Sequence, residues 1–121
     1  MANAPDRFEL FLLGEGQQKV TTREDTRTPN TLYFVIEKED HTIGNLIRMH
    51  LVKHPEVVFA AYRVPHPLVP NVELRVQTTG KITPKEAVQQ VIQDLLHQLS
   101  TLGQNITREF ELKRMAMEDG R

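Results

Sequence analysis

Glu39, Asp40, His41 and Thr42 stand in a row within "EKEDHTIGNLIRMHLVKHPEV", and His50 and His54 follow four residues apart. An imidazole beside a carboxylate is the pairing used for a general base and its orienting group. Two histidines at i and i+4 put both rings on one face of a helix, which is the beginning of a metal site. Neither chemistry is completed nearby in the chain. A catalytic zinc wants a third ligand and an adjacent glutamate base, whereas Leu51, Val52 and Lys53 fill the gap, and a lysine repels a cation. No serine or cysteine nucleophile stands beside His41, and no glycine-rich phosphate loop occurs. A helix start explains the same residues more simply. Thr42 or Asp40 serves as N-cap, and the acidic pair Glu39 and Asp40 suits the positive end of the helix dipole. Gly44 and Asn45 are poor helix formers in a first turn. They answer other demands: Gly44 a close backbone approach, Asn45 an amide that both donates and accepts.

The elements that position these residues follow from pattern. The 121 residues fit one domain, residues 1–121, with loose ends expected at 1–7 and 112–121. Hydrophobic residues make up 39% and charged residues 26%, a globular balance with no apolar run long enough for a membrane span. The opening "MANAPDRFELFLLGEG" lacks a basic flank, so a signal peptide is not expected, and the absence of cysteine removes disulfides and thiolate metal sites. A net charge of −1 and a pI near 6.5 argue against direct nucleic-acid binding, which favours a basic stripe.

"FELFLL", Phe8 to Leu13, is a compact apolar patch that needs covering, and Lys19–Thr22 reads as a short strand. "TLYFVIEK" (31–38) is a strand with Leu32, Phe34 and Ile36 on one face. A helix from about Thr42 to Lys53 is closed by "HP", because the residue before proline avoids helical angles. "VVFAAYRV" (57–64) and "VELRVQT" (72–78) are two more strands. The last alternates Val72, Leu74 and Val76 with Glu73, Arg75 and Gln77, as a sheet with one wet face should.

From Thr83 a long amphipathic helix is expected to about Phe110. Thr83, Pro84 and Glu86 form its capping box, and Val88, Ile92, Leu95, Leu99, Leu102 and Ile106 recur at steps of three and four. Residues 83–110 would span roughly 40 Å at 1.5 Å per residue, against a diameter of roughly 35 Å for a domain of this size. A sheet of short strands cannot shelter all of that stripe. Either the first helix and the tail cover it, or a helix from another polypeptide does, and the second reading is favoured.

"EDHTIGNLIR" resembles the "DHTLGN-L-R" signature of the small alpha-like subunits of cellular RNA polymerases, with Ile43 where leucine is common. "FAAYRVPHPL" resembles the tyrosine and "PHP" block of the same family, and "NAPDRFELFLLGEG" is similar to the opening of its RNA polymerase II members. The resemblance implies an α+β fold: a small antiparallel sheet backed by two helices, with a long C-terminal dimerisation helix. It implies a non-catalytic nuclear subunit without cofactors or metals. The implied partner is the larger alpha-like third subunit, bound as a heterodimer through the first and last helices. On that platform the two large catalytic subunits assemble. It further implies a seam of Ile43, Leu46, Ile47 and Leu51 with Val88, Val91, Ile92, Leu95, Leu99, Leu102 and Ile106, and polar contacts from His41, Asn45 and Arg48. Phe8, Leu10, Phe11 and Leu12 are expected to cover the sheet or the partner. Pro65, His66 and Pro67 form a candidate docking loop or a merely stiff turn. The alternatives are the equivalent subunit of RNA polymerases I and III, an RNA-binding module of βαββ order, and a small histidine- or metal-dependent enzyme. Base stacking by an RNA module would need more exposed aromatics and basic residues than the third strand offers.

Overall fold

Alternation along two strands builds the core. In the computed structural model, which describes residue 4 and residues 6–120, β2 (Thr31–Glu37) and β4 (Asn71–Thr78) pair antiparallel with Leu32 opposite Val76, Phe34 opposite Leu74 and Ile36 opposite Val72. Because side chains alternate across a strand, these residues share one face. Phe34, Ile36, Val72, Leu74 and Val76 are all buried. β1 (Val20–Glu24) and β3 (Val57–Arg63) flank them, giving the antiparallel order β1-β2-β4-β3. The first strand thus runs slightly later than the expected Lys19–Thr22. A bulge between Val57 and Phe59 breaks the β3 ladder, a common device on an edge strand.

α1 (His41–Lys53) packs on β3 and β4 and buries Gly44, Ile47 and Leu51. It ends at His54, whose extended ψ of 130° is the conformation demanded by Pro55. α2 (Pro84–Asp119) begins with the expected capping box. The Glu86 N–H donates to Thr83 Oγ1 at 3.1 Å, and the Thr83 N–H donates to Glu86 Oε2 at 3.2 Å. The helix runs past the expected end near Phe110, so residues 112–119 are helical. Apolar spacing becomes irregular after Phe110 while helix-favouring Glu, Leu, Lys, Arg, Met and Ala continue, which explains why periodicity alone stops short. No helix among the described residues is long and apolar enough to cross a membrane.

The chain divides into two compact units, Met1–Val91 and Ile92–Arg121. The first holds the sheet, α1 and the start of α2, where Ala87, Val88 and Val91 are buried. The second is helical, with Leu95 buried and the rest of its apolar residues open to solvent. Ahead of β1, Asp6 caps a 3-10 turn, Arg7–Leu10, by accepting the Phe8 N–H at 3.2 Å. The looseness expected for 1–7 falls mostly on residues outside those described.

Candidate functional site

The start of α1 joins the two blocks that carry the family signature. Asp40, rather than Thr42, is the N-cap: its Oδ1 accepts the Thr42 N–H at 2.9 Å. Hydrogen bonds from Thr42 hold the Asp40 carboxyl below its ordinary value of 3.8, with the cost of burial a smaller opposing effect. Glu39 is paired with Lys19 Nζ at 2.8 Å. His41 engages Tyr62. Its Nδ1 lies 2.9 Å from the Tyr62 hydroxyl, and the two rings meet edge to face at 5.6 Å. The Asp40 carboxylate is taken up by the helix cap and His41 Nδ1 by Tyr62, so among the described residues the two are not hydrogen-bonded to each other as a base and its orienter.

Gly44 is where Tyr62 passes under the helix. A Cβ there would lie 2.8 Å and 3.0 Å from two Tyr62 ring carbons and 3.1 Å from Val72 Cγ1, closer than a methyl group tolerates. The close approach expected of Gly44 is this contact. From sequence Tyr62 is only the tyrosine of a signature block, with no role assigned. The available signal was a glycine in a first turn together with a tyrosine in the strand after the helix.

Asn45 and Arg48 orient each other: Asn45 Oδ1 accepts Arg48 Nε–H at 3.3 Å and Nη2–H at 2.7 Å. His50 and His54 have separate local duties. His50 Nδ1 lies 2.9 Å from the Leu46 carbonyl oxygen. His54 Nδ1 accepts the Glu56 N–H at 3.1 Å, so in the neutral ring Nε2 carries the proton and donates to Gln90 Oε1 at 2.7 Å.

The 3-10 turn, the β2–α1 junction and the proline loop line one groove of about 560 Å³, bringing together Leu10, Phe11, Asp40, His41, Pro67 and Val69. Phe8, Leu10, Phe11 and Leu12 stay exposed and do not cover the sheet; Phe8 and Phe11 stack edge to face on each other at 5.7 Å. His66 Nδ1 accepts the Leu68 N–H at 3.1 Å, which stiffens the exposed loop Pro65, His66 and Pro67.

The expected seam divides by burial. Ile47, Leu51, Val88, Val91 and Leu95 are buried within this chain. They lie on the inner edge of a stripe wide enough to serve a core on one side and solvent on the other. Ile43 and Leu46 are half-buried. Met49 and Val52 add exposed apolar area on α1 that sequence reasoning did not assign. Ile92 is exposed in the second unit, followed by Leu96, Leu99, Leu102, Ile106 and Phe110 at 61%, 53%, 53%, 47% and 73% exposure. Single exposed leucines are ordinary, but a continuous row of this kind marks an interaction surface.

The family model of the RNA polymerase Rpb3/Rpb11 dimerisation domain matches residues 31–105. The DNA-directed RNA polymerase II subunit rpb11 of Dictyostelium discoideum is 48% identical over 112 residues, covering 93% of this chain and 93% of the relative. The subunit RPB11 of Schizosaccharomyces pombe is 40% identical over 116 residues, covering 96% and 94%. Among solved structures, the DNA-directed RNA polymerase subunit L of Thermoplasma acidophilum superposes with a TM-score of 0.63 at 20% identity, over 78% of this chain and 92% of that one, which shows the shared fold. The matched segment contains both signature blocks, the contact of Gly44 with Tyr62 and most of the exposed helical row, and the chain belongs to the RNA polymerase Rpb3/Rpb11 dimerisation-domain family.

Proposed function

We propose that this chain is a non-catalytic core subunit of DNA-directed RNA polymerase II. It pairs with the larger alpha-like subunit, and the pair serves in the nucleus as the platform on which the large catalytic subunits assemble. The observation that carries this reading is the exposed row Leu96, Leu99, Leu102, Ile106 and Phe110 in a chain of a dimerisation-domain family. Covering such a row removes apolar area from water at about 25 cal/mol per Å², and its three- and four-residue spacing is the spacing another helix fills. α1 offers Met49 and Val52, with half-buried Ile43 and Leu46 beside them, to the same partner. Asn45 and Arg48, fixed by their mutual hydrogen bonds, supply polar contacts at its rim. The groove bounded by Leu10, Phe11, His41 and Pro67 is the surface assigned to a large subunit. The relatives named as RNA polymerase II subunits favour this enzyme over polymerases I and III.

Co-expression with the larger alpha-like subunit tests the reading. A stable 1:1 complex by sedimentation is expected, with self-association or poor solubility of the chain alone. A well-behaved micromolar monomer that ignores the larger subunit would overturn it.

A further inference from the structure

The sheet face that does not line the core carries an organised arginine and aromatic cluster that dimerisation through the helices leaves unused. The strand register places it. Arg23 on β1 lies opposite Tyr33 on β2, which lies opposite Arg75 on β4, which lies opposite Ala61 on β3. One row along, Glu73 lies between Val35 and Arg63. The Arg23 guanidinium sits 4.5 Å from the centre of the Tyr33 ring, and Arg75 lies 5.2 Å from that of Phe59. Stacking on rings holds the planar guanidinium groups flat and pre-organised.

Two acids of this face, Glu73 and Asp25, pair with the arginines. Glu73 is 11% exposed and takes Arg23 at 2.8 Å on one oxygen and Arg63 at 3.3 Å on the other. Asp25 is 4% exposed and takes Nε–H and Nη2–H of Arg75 at 3.2 Å and 3.0 Å. Arg23 and Arg63 remain 61% and 70% exposed, each committing only one nitrogen to Glu73. Arg27 meets Asp25 through its backbone N–H at 2.9 Å and is itself exposed. Four arginines therefore converge on two screened carboxylates around a shallow depression of about 400 Å³ floored by Tyr33 and Phe59. In each of these ion pairs the arginine is the more exposed partner, although the chain as a whole carries −1.

We propose that this face docks an extended acidic peptide segment, whose carboxylates take the spare N–H donors of Arg23, Arg27 and Arg63, the rings of Tyr33 and Phe59 backing the arginines from below. Guanidinium groups match carboxylates in planar, two-bond geometry. A peptide fits better than a nucleic acid. Glu73 lines the depression and interrupts its cationic rim, which spaced carboxylates can straddle and a continuous phosphate chain cannot.

The test uses the full chain and fluorescence anisotropy with three labelled probes: a ten-residue peptide of alternating Glu and Ser, its Lys and Ser counterpart, and a ten-nucleotide oligo-dT. The Glu peptide is expected to bind at low salt and weaken as salt is raised, with no binding of the Lys peptide and weaker binding of oligo-dT. R27A/R63A should weaken the Glu peptide at least fivefold while circular dichroism and thermal midpoint stay unchanged. R27K/R63K, which keeps the charge and loses the fork, should fall between. Failure of the Glu peptide to bind, equal binding by R27A/R63A, or tighter binding of oligo-dT would each overturn the proposal.

Discussion

Truncating Leu99 and Leu102 to alanine separates what α2 does for its own fold from what it does for a partner. Both side chains are 53% exposed in this chain. Full burial of a leucine is worth about 1.5–3 kcal/mol, and roughly half of that remains to be gained here. Removing both should cost pairing about 1.5–3 kcal/mol, a rise in Kd of about 10- to 150-fold. Alanine is the strongest helix former, so α2 itself should persist. Substitutions at such exposed positions should shift folding stability by no more than about 0.5 kcal/mol. The assay is a titration of the fluorescently labelled larger alpha-like subunit, with urea unfolding of the variant alone as the control. L51A supplies the contrast: Leu51 is 0% exposed, so its truncation should cost the fold about 2–5 kcal/mol. If L99A/L102A pairs within twofold of the parent while remaining folded, the assignment of that row to the partner is wrong.

Three further outcomes follow from the geometry. G44A should destabilise the chain by about 1 kcal/mol, because overpacking against Tyr62 and Val72 outweighs the helix propensity gained, and in a Y62A background the same change should become neutral or stabilising; a stabilised G44A in the parent would refute the contact. T83A should remove half of the capping box and cost about 0.5–2 kcal/mol in urea unfolding, whereas T83S should cost almost nothing. Asp40 and Asp25 both titrate below their ordinary value in the folded chain, Asp40 chiefly through the Thr42 N–H and Asp25 chiefly through the Arg27 N–H. A depressed carboxylate contributes stability above its unfolded pKa and loses it as pH falls through the folded one. Thermal midpoints should therefore drop on acidification from pH 5 downward, and D25N/D40N should flatten that profile; an unchanged slope would contradict both assignments.

Features carried by local pattern were legible in the sequence. β4 alternates because one sheet face is dry, and Thr83 and Glu86 announce a helix start through a reciprocal hydrogen bond visible as residue spacing. Features carried by contacts between distant residues were less so. The choice of Asp40 over Thr42 as cap depends on one backbone angle, and the seating of Tyr62 beneath Gly44 joins residues 18 apart. The helical stripe told which residues are apolar, not which of them the chain itself buries. Val88, Val91 and Leu95 are buried, while Ile92, Leu96 and Leu99 in the same stripe are open. The arginine face escaped a reading of β4 alone, since Arg23, Tyr33, Phe59 and Arg63 come from three other segments and converge only through the register.

Hydroxyl-radical footprinting of the chain alone, diluted until sedimentation shows a monomer, and in complex with the larger alpha-like subunit tests the central claim most directly. Leu96, Leu99, Leu102, Ile106 and Phe110 should label readily alone and be protected several-fold in the complex, while Leu68, at 85% exposure, keeps its labelling as an internal reference. Equal labelling of the α2 row in both states, with complex formation verified, would contradict it.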